Sequence, residues 1–244
     1  MRALSAQDIL QIWEIGQFQH PLDRAMTLLA FALPEKTGED LTQLTIGQRD
    51  AYLLQLRQSL LGSQLESFAT CPHCGEALEF SLQVPDLQLA EPEAISSVTQ
   101  SVTLDGFEIQ FSLPTSRDLA AVVGCREVAI AAQQLTQRCL HRITQSGQTI
   151  EAQQLPPSVL MRLSQHMTTV DPQAELLLDL VCPNCGHTWQ VLFDIVSFFW
   201  TELTVQAKRL LREVHLLARA YGWREGDILT MSATRRQFYL ELVT

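Results

Sequence analysis

Apolar and polar residues alternate along two short stretches of the chain, and each stretch follows a pair of cysteines. Residues 78–84 read LEFSLQV and residues 189–195 read WQVLFDI, so every second residue is apolar. Such alternation predicts strands with one buried face. Matching strands are predicted before the cysteines, over 65–70 and 176–180. A unit of strand, C-P-x-C-G and strand therefore occurs twice, with an offset of 111 residues.

Helical periodicity marks the first 62 residues. Ser5, with Asp8 three residues later, predicts the N-cap of a first helix. Pro21 is the predicted first residue of a second helix, which ends at residue 33. Thr45 is the predicted N-cap of a third helix that ends at Gly62. We therefore interpret residues 1–62 as an N-terminal helical segment.

The segment 196–244 is predicted to be a helical tail. Apolar residues recur at helical spacing from Leu203 to Tyr221, and Gly222 ends this helix. Two shorter helices are predicted after it, the last capped by Ser232. His215 is expected to have a packing role. The positive charge of the tail is carried by Lys208, Arg209, Arg212, Arg219, Arg224, Arg235 and Arg236. This charge indicates either a solvated helical face or a surface for an acidic partner.

Between the two cysteine pairs, the pattern predicts an inserted β-hairpin and helices over about 86–172. Asp105-Gly106 lies between two apolar runs, which indicates a tight hairpin turn. A linker is predicted from Pro85 to Pro92. Helices are predicted over 116–133, 135–145 and 156–170.

Composition and charge exclude several classes of protein. Hydrophobic residues make up 46% of the 244 residues and charged residues 18%, which excludes a mainly disordered chain. The net charge of −10 argues against nucleic-acid binding, because an acidic chain repels phosphate. The sequence has no secretory signal and no apolar run near the roughly 20 residues that span a bilayer. A cytoplasmic protein without a direct transmembrane segment is expected.

The cysteines of the repeated unit are the candidate metal ligands: Cys71, Cys74, Cys182 and Cys185. In a cytosolic protein such pairs usually indicate metal or redox chemistry. A redox pair places its first cysteine at a helix N-terminus, whereas both pairs here lead into a strand. Two such turns complete a tetrahedral site of four cysteines, which is a structural Zn²⁺ site. A thiol oxidoreductase stays as the less favoured alternative.

The remaining cysteines and the neighbouring histidines are interpreted as structural. Cys125 and Cys139 are on predicted helices and are expected to be buried free thiols. His73 and His187 lie beside the cysteine pairs, and both are expected to be exposed rather than ligands, because four thiolates already satisfy zinc.

These elements together predict an α+β chain in three parts. Helical segments over 1–62 and 196–244 flank a small antiparallel zinc-ribbon β unit. That unit is a split domain over 63–195, divided by the inserted hairpin and helices.

Motifs for catalysis are absent from the sequence. It has no phosphate-binding glycine loop, no zinc-protease helix motif and no nucleophile elbow. His20, His141 and His166 are isolated, and no nucleophile has a base beside it. We therefore expect a protein that is not an enzyme, with no catalytic residues and no cofactor except zinc.

Several segments resemble one protein family over nearly the whole chain. They are IWEIG (12–16), HPLDRA (20–25), the run 53–60 that leads through Gly62 into CPHCG (71–75), LPTSRDL (113–119), LDL (178–180) before CPNCG (182–186), VHLLA (214–218), YGWREGDIL (221–229) and RRQFYL (235–240). Together they resemble the baseplate proteins, also described as baseplate hub assembly chaperones, of contractile-tailed phages and related contractile injection systems.

The resemblance implies a non-enzymatic part in building or forming a baseplate, with other baseplate, hub or sheath proteins as partners. It leaves open whether the chain is a permanent subunit or a departing assembly factor. Outside the family, the alternative is a stand-alone zinc-ribbon adaptor that binds some other cellular complex.

Overall fold

The structure is a computed structural model that describes residues 1–89, 92 and 99–243. Helices and small antiparallel sheets alternate along the chain, which confirms the predicted α+β class. The chain divides into two compact units, one formed by Met1–Thr37 with Ile195–Thr244 and the other by Gly38–Asp194. The three-part division at residues 62 and 195 stays a prediction.

The elements are numbered in chain order. The helices are α1 (Ala6–Gly16), α2 (Pro21–Ala32), α3 (Gly38–Thr42), α4 (Ile46–Leu61), α5 (Val84–Leu87), α6 (Ser116–Val122), α7 (Val128–Arg138), α8 (Pro157–Val170), α9 (Ile195–Tyr221), α10 (Glu225–Leu229) and α11 (Ala233–Glu241). The strands are β1 (Gln64–Thr70), β2 (Ala77–Gln83), β3 (Gln100–Leu104), β4 (Phe107–Phe111), β5 (Leu140–Gln145), β6 (Gln148–Thr149), β7 (Leu177–Val181) and β8 (Thr188–Leu192).

The first unit is helical, and both ends of the chain contribute to it. α1, α2, α10 and α11 all pack on the 27-residue helix α9. Gly16 lies so close to the Trp200 ring that a Cβ atom there would fall 2.2 Å from it. The guanidinium of Arg24 lies 4.5 Å from the centre of the same ring. The absence of a side chain at residue 16 therefore lets α1 and α9 approach closely.

The predicted helix starts in this unit agree with the structure. The Ser5 side chain accepts from the backbone N–H of Asp8, and the Asp8 side chain accepts from the backbone N–H of Ser5. His20 caps α2 through Nδ1, which accepts from the N–H of Leu22. The predicted packing role of His215 is wrong, because its side chain is exposed. One residue corresponds to about 100° on a helix, so His215 points away from the core that its neighbour Val214 faces.

The second unit begins with α3, which α4 follows, and its described residues form three separate sheets. The Thr45 and Gln48 side chains form the capping box of α4, and Gly62 ends that helix with a φ of +88°. β1–β2 and β7–β8 are antiparallel two-stranded sheets. We call them the cysteine hairpins, because their turns contain the two cysteine pairs. The remaining strands form one sheet in the order β3-β4-β5-β6.

The inserted sheet, β3–β6, has its own hydrophobic core. Asp105 and Gly106 have positive φ values of 50° and 83°, which fit the tight hairpin turn predicted between β3 and β4. The strands of this sheet and α8 enclose one cluster of buried side chains. Its members are Leu104, Phe107, Ile109, Phe111, Leu113, Cys139, Ile143, Leu155, Val159, Leu163 and Met167.

Two predicted helices in this region need correction. The helix predicted over 116–133 is two helices, α6 and α7, separated by a turn that contains Gly124, a poor helix former. The helix predicted over 135–145 is wrong, since residues 140–145 form β5. The β-branched pair Ile143-Thr144 favours a strand, and β5 completes pairings on both sides, with β4 and with β6.

The two other cysteines lie at the ends of these helices. Cys139 is fully buried, as predicted, and burial raises the pKa of its thiol to about 12. Cys125 lies between α6 and α7 and is half-buried, so the prediction of a buried helical thiol is wrong for it. The predicted linker from Pro85 to Pro92 falls partly outside the described residues, and its first residues belong to α5.

Candidate metal centre

The turns of the two cysteine hairpins have the same backbone geometry. In the first, the N–H of Cys71 donates to the carbonyl of Glu76 at 2.8 Å, and the N–H of Gly75 donates to the carbonyl of Cys71 at 2.9 Å. In the second, Cys182 and Gly186 make the two corresponding bonds, each at 2.9 Å. Both glycines have positive φ values, 77° and 70°, which a residue with a side chain rarely adopts.

The two turns bring the four cysteine side chains to one point. Their Sγ atoms all lie within 4.8 Å of one another. Sγ of Cys71 is 3.7 Å from Sγ of Cys185, and Sγ of Cys74 is 3.6 Å from Sγ of Cys182. Each of these close pairs joins one hairpin to the other. The structure thus assembles the four cysteines that the sequence singles out from two segments more than a hundred residues apart.

The sulfur positions fit a tetrahedral metal ion better than disulfides. A disulfide requires sulfurs about 2.05 Å apart, and all six cysteines are free thiols. A Zn–S distance of about 2.3 Å in a tetrahedron places the sulfurs about 3.8 Å from one another. The cross-hairpin distances of 3.7 and 3.6 Å lie close to that value.

The local environment changes the ionisation of the thiols. Burial is the largest single influence on Cys71 and raises its pKa, but hydrogen bonds from the backbone N–H groups of Cys74 and His73 and from the thiols of Cys74 and Cys182 together lower the pKa to about 7. The N–H of His187 lowers the pKa of Cys185, while reduced solvation and the neighbouring sulfurs raise it, to about 12. Negative charges this close repel one another, so ionisation of all four thiols requires a cation between them.

Two histidines and a tryptophan flank the sulfur cluster. The rings of His73 and His187 stack with their centres 5.4 Å apart, and His187 stacks on Trp189 at 6.0 Å. His73 is exposed, as expected, whereas His187 is half-buried. Within the described residues, neither histidine belongs to a group of ligand atoms that a metal could bridge. The stacked rings of His73 and His187 therefore join the two hairpin turns and add no ligand to the four cysteines.

A buried carboxylate ties the second hairpin to α4. Asp171, only 2% exposed, follows α8 and comes six residues before β7. Its Oδ2 accepts from the backbone N–H of Gly47 in the first turn of α4, at 3.0 Å. A Cβ atom on Gly47 would lie 1.7 Å from Oδ1 of Asp171. The contact therefore requires glycine at residue 47.

A buried amide adds a second connection two residues later. Nε2 of Gln173 donates to the carbonyl of Leu87 at 3.1 Å, and the N–H of Leu89 donates to Oε1 of Gln173 at 2.8 Å. Leu87 ends α5, which directly follows β2. The segment that leads into β7 is thus attached to the elements on both sides of the first hairpin, α4 before it and α5 after it.

Sequence reasoning missed these two positioning residues. Asp171 and Gln173 flank a proline and read as a polar loop, and Gly47 reads as an ordinary residue of a helix. The contacts join residues 124 and 86 positions apart. A glycine in the first turn of a 16-residue helix is the one local signal of such a close approach.

A comparison with protein families identifies the chain. The model of the family described as T4 bacteriophage base plate protein matches residues 27–200. The chain belongs to this family. This confirms the resemblance to phage baseplate proteins that the sequence segments indicate. The match includes both cysteine hairpins and ends inside α9, so most of the helical tail lies beyond it. No curated protein and no solved structure matches the chain significantly.

Across residues 1–89, 92 and 99–243, no helix combines the length and the apolar composition that crossing a bilayer requires.

Proposed function

We propose that this chain is a non-enzymatic structural component or assembly factor of the baseplate of a contractile phage tail or contractile injection system. We also propose that Cys71, Cys74, Cys182 and Cys185 hold a structural Zn²⁺. The family match over residues 27–200 supports the first statement, and the sulfur cluster supports the second. The partners would be other baseplate, hub or sheath proteins, met in the cytoplasm as the particle or its intermediates form.

The donor set favours a structural ion over a catalytic one. Four thiolates fill the coordination of Zn²⁺ and leave no position for water or substrate, which catalytic zinc requires. Thiolates also select Zn²⁺ over the hard cations Mg²⁺ and Ca²⁺, which prefer oxygen. The ion would join two hairpins that share no ladder hydrogen bonds, since β1–β2 and β7–β8 are separate sheets.

The baseplate role is tested by quantitative mass spectrometry of purified sheath–tube particles and of the soluble cell fraction. A fixed stoichiometric amount in particles is the result expected of a permanent subunit. Presence only in the soluble fraction, bound to baseplate precursors, identifies an assembly factor. Absence from both contradicts the proposal and leaves the stand-alone zinc-ribbon adaptor, whose gene would lie outside any sheath and tube cluster.

The Cys71-Pro72-His73-Cys74 pair keeps the thiol oxidoreductase as a second candidate, because C-x-x-C pairs also occur in redox motifs. The secondary structure disfavours an oxidoreductase, because each cysteine pair is followed by a strand, β2 or β8. No helix begins at Cys71 or at Cys182. Insulin-reduction assays on the purified protein distinguish the two functions. Activity that disappears in Cys71→Ser favours the oxidoreductase, whereas bound zinc that resists mild chelation favours the structural site.

A further inference from the structure

The long helix α9 exposes a row of residues on the side opposite its core contacts. We call Val205, Lys208, Arg212, Leu216 and Arg219 the basic stripe, and all five are exposed. Val205 is 62% exposed and Leu216 is 40% exposed. Their spacings of three and four residues place them on one helix face about 21 Å long. The opposite face contains the buried residues Leu203, Ala207, Leu210, Val214 and Leu217.

The charge of the basic stripe contrasts with the charge of the chain. The protein has 27 acidic residues and a net charge of −10, yet Glu213 is the only acidic residue between 203 and 221. Glu213 is buried and lies between Arg209, at 3.0 Å, and Arg236, at 2.9 Å. Its carboxylate is therefore already neutralised.

The three cations of the basic stripe have no such partner. Within the described part of the chain, no carboxylate lies within salt-bridge distance of Lys208, Arg212 or Arg219. Their charges face solvent together, over about three turns of the helix. A stripe of unneutralised cations attracts anionic surfaces, even on a protein whose net charge is negative.

We propose that the basic stripe docks an acidic amphipathic helix of a neighbouring baseplate protein, an inference that rests on the proposed function for the identity of that neighbour. Val205 and Leu216 lie among the cations, so the complementary surface is an apolar seam flanked by Asp and Glu residues. Two helices joined in this way bury their apolar seams and pair charges at the edges. Nucleic acid offers no apolar seam of this kind, and the net charge of the chain opposes it.

Charge reversal of the basic stripe tests the docking. The test variant is Lys208→Glu/Arg212→Glu/Arg219→Glu. The matched control, Arg117→Glu/Arg126→Glu/Arg142→Glu, changes the net charge equally at exposed residues outside α9. The probe is a fluorescent synthetic helical peptide with a leucine seam flanked by Glu, and binding is measured by anisotropy at low and high salt. A second peptide has Lys in place of every Glu.

We expect the unmodified protein and the control to bind the Glu peptide and to ignore the Lys peptide. The test variant should lose at least about tenfold in affinity, since three edge charge pairs become repulsive. High salt should weaken binding by the unmodified protein. Equal affinity of the test variant and the control overturns the proposal. So does tighter binding to duplex DNA or to anionic vesicles than to the Glu peptide, because the stripe would then serve another class of partner.

Site-specific crosslinking in particles separates this inference from the proposed function. A photo-crosslinking residue at Arg212 should join an acidic helical segment of a baseplate protein, whereas the same residue at Arg126 should not. Absence of the chain from particles and precursors contradicts the proposed function, whatever the peptide assay gives. Presence there, together with unchanged incorporation of the test variant and no peptide binding, contradicts the docking alone.

Discussion

The inserted sheet and the cysteine hairpins are both made of short antiparallel strands, but they bury very different numbers of side chains. β4 alternates between buried and exposed residues and directs Phe107, Ile109 and Phe111 into a core. In β1, β2, β7 and β8, which the structure describes completely, Leu65 is the single buried residue. A fully buried apolar side chain stabilises a fold by about 1.5–3 kcal/mol. The inserted sheet has many such side chains, and the hairpins need another source of stability.

This difference indicates which part of the unit a bound metal ion would stabilise. Hydrophobic burial stabilises the inserted sheet, so we expect its folding not to depend on the sulfur cluster. The hairpins are small, and a two-stranded hairpin alone is marginally stable in water. The four cysteines are where the two hairpins meet, so an ion bound there would supply what their strands lack. The predictions that follow test this contrast, beginning with the largest expected effect.

Removal of one cysteine ligand should abolish the order of the hairpins and spare the inserted sheet. Structural Zn²⁺ contributes about 10–16 kcal/mol of binding free energy in zinc-finger peptides, more than these hairpins can replace. In Cys182→Ser, we expect metal content to fall from about one ion per chain to near zero. Hydrogen exchange should then lose protection over residues 64–83 and 177–192 and keep it over 100–111.

Cys125→Ser is the matched control for that experiment, since Cys125 is a half-buried thiol outside the cluster. It should retain both the metal and the protection. Uniform loss of protection in Cys182→Ser would contradict separate stabilisation of the hairpins and the inserted sheet, because the two regions would then unfold together.

Truncation of a core phenylalanine should have the reverse effect. Phe111 is fully buried in the inserted sheet, whereas Phe68 of β1 is 82% exposed. Phe111→Ala should lower the free energy of unfolding of the inserted sheet by about 3–5 kcal/mol, with metal content unchanged. Phe68→Ala should change the free energy of unfolding by no more than about 0.5 kcal/mol. Chemical denaturation with parallel metal analysis measures both, and loss of metal in Phe111→Ala would disprove independent stabilisation.

Substitution of Gly47 tests the connection between α4 and the second hairpin. Gly47→Ala places a methyl group against the Asp171 carboxylate and should destabilise the second unit by about 1–3 kcal/mol through overpacking. Gly38→Ala is the control, since a Cβ atom there meets nothing within 4 Å. Thermal unfolding compares the two. Equal melting temperatures of the two variants would show that the stability of the second unit does not depend on the contact between Gly47 and Asp171.

The smallest expected effect concerns the charge of Asp171. Burial raises the pKa of this carboxyl above its ordinary value, although hydrogen bonds from Gly47 and Thr45 lower it in part. The folded state therefore binds the proton more tightly than the unfolded state, so ionisation of Asp171 reduces stability as pH rises through the raised pKa. Asp171→Asn should slightly stabilise the protein at pH 7 and lose that advantage in acid. Denaturation midpoints across pH test the sign, and a destabilised Asn variant at pH 7 would contradict it.

Local signals in the sequence predict a large part of this fold. The side chains of Ser5 and Thr45 cap helices as expected, and Asp105-Gly106 makes the predicted turn. The C-P-x-C-G repeat identifies the four cysteines that converge. These features depend on residues a few positions apart, whose chemistry fixes the backbone locally.

The errors arise where distant partners decide the structure. Residues 140–145 have a weak local preference, and their pairing with β4 makes them a strand. The attachment of Asp171 to Gly47 spans 124 positions and leaves no periodic pattern. The exposure of the His215 side chain depends on its angular position on α9. That error, by contrast, is local, because the spacing of the buried residues in α9 places residue 215 about 100° from the core residue Val214.

The long separation of the two cysteine pairs has a consequence for biosynthesis. Cys74 and Cys182 are 108 positions apart, so the first pair leaves the ribosome well before the second is made. At about 5–20 residues per second, this interval lasts about 5–20 s. The nascent chain thus presents half of the sulfur cluster, with two thiols and no partner hairpin, while the intervening sheet is still being translated. Thiol-protecting or metal-delivering factors would have to act within that window.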